Sequence, residues 1–164
     1  RRVLSGQYEL WLPGESVLNR GTGFLYPTEG RTITIPATAG RVVSVGAYNS
    51  RTLAYADFSG RGYVREGGGS KPDLAAPGVD LLVPASEGST QRVSGTSFAT
   101  PLVSGAAALL MEWGIEKGND PYLYGEKLKA YLRKGAKKLR GETDYPNERV
   151  GYGALCAAQS LLKI

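Results

Sequence analysis

The 164-residue sequence contains no histidine, and it contains only one cysteine and one methionine. Without histidine the chain has no imidazole to act as a general base, a metal ligand or a pH switch near neutrality. The single cysteine, Cys156, excludes an internal disulfide framework and a multi-cysteine zinc site, and we expect it to be a small core residue. Acid–base chemistry must therefore use another group, or a base that these residues do not carry, and no cofactor is predicted.

Long apolar runs are missing as well. No window of about 18 apolar residues is present, so no membrane span is predicted, and the first ten residues lack the apolar run of a signal peptide. Lys and Arg number 20 against 15 Asp and Glu, a formal net charge of +5. We interpret the late basic residues as a solvated helix face rather than a nucleic-acid interface, because aromatic interleaving and a known binding module are absent. These residues are Lys127, Lys129, Arg133, Lys134, Lys137, Lys138 and Arg140.

Short alternating or β-branched segments predict strands. Residues 7–12 and 32–35 alternate with period two, which is typical of half-buried strands in antiparallel sheets. The nearly continuous β-branched run at 42–45 predicts a strand buried on both faces, as in a parallel α/β sheet. Residues 81–83 predict a further strand.

Helical patterns follow in the second half of the chain. Apolar residues surround most of the segment 97–113, so it is predicted to be a largely buried helix. A second helix is predicted to begin at Asp120-Pro121, to carry one apolar stripe and to end at Gly135. Residues 151–162 are apolar and are expected to dock as a last strand or helix. The strand predicted at 42–45 is typical of an α/β protein.

A serine lies where a glycine-containing loop enters the first of these helices. A helix N-terminus presents unpaired N–H groups and a partial positive charge, which would stabilise a developing oxyanion beside Ser97. Gly95 lets the backbone approach a ligand closely. On these features alone a serine at this place is more often a helix cap than a nucleophile, so both interpretations stay open at this point.

The whole string around this serine carries more information. GTSFATPLVSGAAAL, residues 95–109, resembles the serine motif of the subtilisin-like serine proteases, or subtilases, and matches every fixed position of G-T-S-x-A-x-P-x-V-x-G-x-x-A. Two further family landmarks precede it in the family order: KPDLAAPG at 71–78, and VSVGA at 43–47 followed by FSGRG at 58–62. The chain is identified on these motifs as a member of that family over about residues 33–162.

The resemblance implies a three-layer parallel-sheet fold and serine endopeptidase activity on a peptide or protein substrate. Ser97 matches the family's nucleophile, and its own backbone N–H matches one donor of the oxyanion hole. Gly95 and Thr96 match the loop that orients the nucleophile. Pro36 and Ala37 fall where the family builds part of its specificity pocket.

The same resemblance shows what these residues lack. In subtilisins the catalytic triad runs Asp, His, Ser along the chain. This sequence has no histidine and no aspartate in a D-[ST]-G context, and its asparagines do not match the oxyanion-hole context. Asp73 belongs to a structural motif of the family, not to the triad. We therefore expect the C-terminal part of a catalytic domain, inactive alone, whose partner is the N-terminal segment carrying Asp and His. Exposed sheet edges would otherwise favour self-association.

The β-rich start departs from an ordinary subtilase. It resembles a clostridial branch of the family, which includes spore-germination proteases and carries a jelly-roll domain inserted before the last part of the catalytic domain. Residues 1–30 are then the end of that inserted β domain, and residues 31–164 the C-terminal portion of the peptidase domain. The branch also contains members that lost triad residues, so a pseudoprotease acting as a regulatory or signalling partner is the alternative function. A bacterial, spore-associated, cytoplasmic or secreted location is left open.

Overall fold

The computed structural model describes residues 6, 8, 10–13, 17–64 and 69–163. The strands are β1 (Val45–Asn49), β2 (Ala54–Tyr55), β3 (Gly62–Val64), β4 (Gly69–Lys71), β5 (Leu74–Pro77), β6 (Leu81–Pro84) and β7 (Thr90–Val93). The α-helices are α1 (Thr96–Met111), α2 (Gly125–Lys134) and α3 (Ala157–Leu161). A π-helical turn, Glu112–Glu116, continues α1, and a 3-10 turn, Ser86–Gly88, joins β6 to β7.

The central sheet has the strand order β2-β1-β5. β1 and β5 are parallel, with Val45 opposite Leu74 and Tyr48 opposite Pro77, whereas β2 is antiparallel to the end of β1. The buried strand predicted at 42–45 therefore exists but begins only at Val45. The backbone of Val42 and Ser44 instead contacts buried charged side chains, which are described with the site below.

Two antiparallel pairs accompany this sheet, β3 with β4 and β6 with β7. The strand predicted at 81–83 is confirmed as β6, which pairs along its whole length with β7. β7 ends at Val93, and α1 begins at Thr96. The β6–β7 hairpin is thus connected by only two residues to the helix that carries Ser97.

The early antiparallel strands are not formed in the described part of the chain. Residues 10–13 and 32–34 have no strand, and the alternating segment 7–12 lies partly outside the described residues. One antiparallel bridge joins Arg31 to Gly62, and the indole N–H of Trp11 donates to the Arg31 carbonyl at 3.1 Å. The alternation of polar and apolar residues reports only on the side chains. A strand also needs backbone hydrogen bonds to a neighbouring strand, and the single bridge between Arg31 and Gly62 provides only one such pairing.

Helix α1 packs one face onto β1 and β5. Small residues on this face let the helix approach the sheet closely, where Ala47 and Ala76 belong to the same core cluster. The buried residues of α1 are Ala99, Val103, Ala106 and Leu110, spaced as one helical stripe.

The prediction that this helix is largely buried is wrong for the described chain. Phe98, Leu102 and Leu109 are 38%, 43% and 62% exposed, because the sheet covers only one side. Among the described residues, Thr96–Glu116 is long and apolar enough to cross a membrane by length and composition alone. The core helix of a soluble protein meets the same criterion, so length and composition alone are weak evidence for a membrane span.

Helix α2 begins later than predicted. It starts at Gly125, because Asp120 caps a separate turn, in which its carboxylate accepts the N–H of Tyr122 at 3.3 Å. The predicted end is confirmed, since the helix stops at Lys134 and Gly135 follows. The last apolar segment docks partly in each of the two predicted ways. Gly151 and Ala154 form isolated bridges to Leu74 and Ala75 of β5, and α3 follows at Ala157–Leu161.

Candidate active site

Ser97 is the second residue of α1, and its side chain is exposed. Its hydroxyl has no hydrogen-bond partner within the described residues. The first backbone N–H groups of a helix have no intrahelical acceptor, so the N–H of Ser97 is available for an oxyanion. The arrangement is that of an accessible hydroxyl next to an anion-stabilising helix end.

Gly95 sets the position of this serine. Its φ and ψ are 151° and 154°, and φ lies in the region that side chains disfavour. The carbonyl of Gly95 accepts hydrogen bonds from the N–H groups of Phe98 at 3.1 Å and Ala99 at 3.3 Å. These are the first hydrogen bonds of the helix. The N–H of Gly95 donates to the carbonyl of Gly78 at 2.8 Å. The loop before Ser97 is thereby fixed to the end of β5.

A second hydrogen bond holds Ser94, the residue before Gly95. The N–H of Asp80 donates to the hydroxyl of Ser94 at 2.9 Å. The carboxylate of Asp80 lies 2.9 Å from both Arg51 and Arg92, and its φ is 54°. Asp tolerates this left-handed conformation better than most residues. Sequence reasoning did not single out Asp80, because nothing local links it to a loop 14 residues away.

Of the two predicted pocket residues, only Ala37 lines the cavity beside the nucleophile loop. This cavity has a volume of about 410 Å³, and Thr96 of the nucleophile loop lines it together with Thr34, Asp57 and Phe58. Pro36 is exposed at the neighbouring position and is not among the residues lining this cavity. The fold thus brings Ala37, but not the side chain of Pro36, to a cavity beside the loop that carries Ser97.

Asp73 is engaged elsewhere, as the fully buried anion of an ionic cluster. Its carboxylate accepts a hydrogen bond of 2.8 Å from the ammonium of Lys71 and one of 2.7 Å from the backbone N–H of Ser44. It also contacts the guanidinium of Arg133. Burial by itself would raise the pKa of Asp73, but the hydrogen bonds from Lys71, Ser44 and Arg133 outweigh it and lower that pKa. Each of these partners stabilises the charged form. In this chain Asp73 is a buried structural anion.

The interpretation of all late basic residues as a solvated face is wrong for Lys129. Lys129 is 2% exposed and lies 3.4 Å from the Asp73 carboxylate. Burial lowers the pKa of Lys129, although the charge of Asp73 opposes that shift. The spacing of Lys129 and Arg133, four residues apart on one helix face, was the available signal that both could reach one anion.

Within the described residues, no three His, Cys, Asp or Glu side chains come together as a metal site requires. Residues 19–153 match the model of the Subtilase family. The chain belongs to the subtilase family. The subtilisin-like fold predicted from the three motifs is confirmed by this match and by the solved structures that resemble it.

Solved structures of proteases resemble this architecture. The structure of the Clostridium perfringens CspB protease is 48% identical, with a TM-score of 0.82 over 88% of this chain and 30% of that chain. The prenylagaramide maturation protease PagA is 35% identical, with a TM-score of 0.62 over 78% of this chain and 44% of that chain.

Among curated relatives, the serine protease AprX of Bacillus subtilis is 33% identical over 156 residues, 81% of this chain and 32% of its own length. The minor extracellular protease Vpr of Bacillus subtilis is 32% identical over 166 residues, 92% of this chain and 19% of its own length. The present subtilase chain therefore spans no more than about a third of these relatives.

Proposed function

We propose that the protein to which these residues belong is a serine endopeptidase in which Ser97 attacks the substrate carbonyl and forms an acyl-enzyme. The observation that carries the proposal is the exposed Ser97 hydroxyl at the start of α1, which has no partner among the described residues, in a chain of the subtilase family. The carbonyl oxygen would become an oxyanion beside the N–H of Ser97, where the helix end stabilises negative charge. The amine of the cleaved bond would leave with a proton that a general acid supplies.

We propose further that residues 1–164 are inactive alone. A serine hydroxyl is a weak nucleophile without an adjacent base, and this chain has no histidine. The triad Asp and His are then contributed by an upstream segment, in agreement with the much greater length of AprX. Loss of triad members leaves only the residual rate that binding and oxyanion stabilisation provide.

The outer face of α1 is the surface on which we propose that the upstream segment docks. Phe98 follows the nucleophile directly, and Leu102 and Leu109 extend the same exposed apolar face along the helix. Apolar patches of this kind on a soluble domain favour association. An upstream segment covering them would bring its base next to Ser97. Self-association of the 164-residue chain is the outcome expected when that segment is absent.

The finer family position is also a proposal. We place the chain in the clostridial branch, with residues 1–30 as the end of the inserted β domain and residues 31–164 as the C-terminal portion of the peptidase domain. The 48% identity to the Clostridium perfringens CspB protease supports this placement. A structure that includes the preceding residues would test the domain boundary directly.

The decisive experiment is fluorophosphonate labelling of the full-length protein, with the adduct mapped by peptide mass. An adduct on Ser97 that is absent from the S97A variant would support the endopeptidase. The 164-residue chain treated in parallel is expected to remain unlabelled. A folded full-length protein without an adduct would favour the pseudoprotease, in which Ser97 only begins a helix.

A further inference from the structure

Two lysines are buried around a single carboxylate. Lys71 and Lys129 are 1% and 2% exposed, and both face Asp73, which also contacts Arg133. Three cations thus share one anion in the described part of the chain. A buried ammonium is costly unless hydrogen bonds replace its lost water, so the lysines need further acceptors.

The further acceptors are backbone carbonyls of one short segment. Lys129 donates to the carbonyl of Gly40 at 2.7 Å and to that of Val42 at 2.9 Å. Lys71 also donates to the Val42 carbonyl, at 3.2 Å. Both bonds of Lys129 are shorter than its 3.4 Å approach to Asp73, so its principal partners are the two carbonyls. Hydrogen bonds from a charged donor are among the stronger ones in proteins.

That segment is the end of an irregular loop. The loop begins at Thr32, whose N–H donates to the Arg61 carbonyl at 2.9 Å. Between these two ends, the one backbone hydrogen bond found in the described residues is a turn from Ala39 to Pro36 at 3.0 Å. The loop is therefore held mainly at its two ends. At the second end Lys129 supplies two hydrogen bonds, Lys71 supplies one, and Ser44 is bonded to Asp73.

This loop forms one wall of the cavity next to the nucleophile loop. Ile33, Thr34 and Ala37 line the cavity of about 410 Å³ to which Thr96 also contributes. The position of these residues depends on where the two ends of the loop are held. A side chain on α2, 89 residues further along the chain from Gly40, consequently acts on the shape of this cavity.

We propose that Lys129 is a positioning residue for substrate binding: its buried ammonium holds the carbonyls of Gly40 and Val42 and so fixes the loop that shapes the cavity beside Ser97. This inference rests on the proposed peptidase function, since it assigns the cavity to the peptide substrate. Lys129 does not touch the reacting atoms. It acts on KM through the loop, and it leaves the reactivity of Ser97 unchanged.

The test uses full-length protein with Lys129→Met, which keeps most of the side-chain volume but removes the donor. Lys127→Met is the matched control, because Lys127 is an exposed lysine on the same helix. KM and kcat are measured with a series of peptide substrates, and the labelling rate of Ser97 with a small fluorophosphonate. Hydrogen exchange is followed in residues 33–42 and, for comparison, in 97–110.

In Lys129→Met we expect KM to rise about tenfold, the factor that corresponds to losing one hydrogen bond to a charged group. The kcat and the fluorophosphonate labelling rate should stay within about twofold. Exchange should become faster in 33–42 and remain unchanged in 97–110. Lys127→Met should behave as the unsubstituted protein in every measurement.

A folded Lys129→Met protein with unchanged KM and unchanged exchange in 33–42 would overturn the inference, as would equal losses in kcat and labelling. If this variant does not fold, Lys129→Gln, which keeps one donor group, replaces it with a smaller rise in KM expected. Failure of both variants to fold would also overturn it, because Lys129 would then support the whole fold. Absence of a Ser97 adduct in the unsubstituted protein would instead count against the proposed function.

Discussion

The backbone N–H of Asp80 donates a 2.9 Å hydrogen bond to the hydroxyl of Ser94, three residues before the proposed nucleophile. The carboxylate of the same aspartate lies between Arg51 and Arg92. Together with the bond from Gly95 to Gly78, this contact fixes the loop that leads into α1. The orientation of Ser97 is thus set by contacts with residues well before it in the chain.

Two substitutions of Asp80 should distinguish the contribution of its backbone conformation to stability from the contribution of its ion pairs. Asp80 has φ of 54° and forms ion pairs that are partly exposed, and such pairs contribute no more than about 1 kcal/mol. Asp80→Asn tolerates the left-handed conformation, so we expect the free energy of unfolding to fall by less than about 1 kcal/mol. Asp80→Ala should lose about 1–2 kcal/mol more, because alanine is strained there. Denaturant unfolding of full-length protein measures both, and equal losses in the two variants would contradict the argument.

Gly95→Ala should displace Ser97 from its position and so reduce its reactivity. At φ of 151° an alanine is strained, whereas its Cβ would meet the ring of Phe98 at 3.4 Å, an ordinary contact distance, so the backbone strain carries the effect. We expect the fluorophosphonate labelling rate of Ser97 to fall by at least about tenfold, which corresponds to a misplacement cost of about 1.4 kcal/mol.

Gly141→Ala is the matched control for that change. Gly141 also has a positive φ, 84°, but it lies in an exposed turn beyond α2, and a Cβ there would meet no atom within 4 Å. Alanine is strained at this φ as well, so the control should unfold at a lower denaturant concentration but label at the normal rate. A Gly95→Ala protein that labels as fast as this control would show that the glycine is not required.

The buried charge cluster should make stability depend on acid pH. The pKa of Asp73 is lowered in the folded protein, so the unfolded chain binds more protons in acid. The stability contribution of Asp73 is therefore complete above the unfolded pKa of about 3.9 and is lost as the pH falls through the folded value.

Asp73→Asn should remove that acid-dependent part. It should also lower the free energy of unfolding near neutral pH by about 3–5 kcal/mol, because buried cations would lose their anion. Unfolding curves of full-length protein measured at a series of pH values test both expectations. An unchanged slope between neutral and acid pH in Asp73→Asn would contradict them.

The docking of an upstream segment on α1 predicts that Leu109 is protected in the full-length protein. Leu109 and Leu82 are 62% and 63% exposed in the described chain. If the segment covers α1, Leu109→Gln should lower the free energy of unfolding of the full-length protein by about 2 kcal/mol. Leu82→Gln, on the β6–β7 hairpin opposite Arg92, should change it by less than about 0.5 kcal/mol. Similar effects of the two substitutions would argue against docking on this face.

Much of the candidate site could be predicted from contiguous residues. Gly95, Thr96 and Ser97 form one unbroken motif, and the start of α1 at Thr96 and the glycine following α2 are local signals of helix ends. These features need no information from elsewhere in the chain, because a turn or a helix end is decided within a few residues.

The sequence by itself determined the family, the proposed nucleophile, the absence of an imidazole base and the approximate positions of α1, α2 and β6. The tertiary structure alone decided that Lys129 is buried, that the outer face of α1 stays exposed in the described chain, and that Ala37 rather than Pro36 lines the cavity. The physical reason is that burial depends on acceptors and apolar surfaces supplied from distant positions. Periodicity places a lysine on a helix face, but only the folded chain brings the Gly40 carbonyl, 89 residues away, within 2.7 Å of its ammonium.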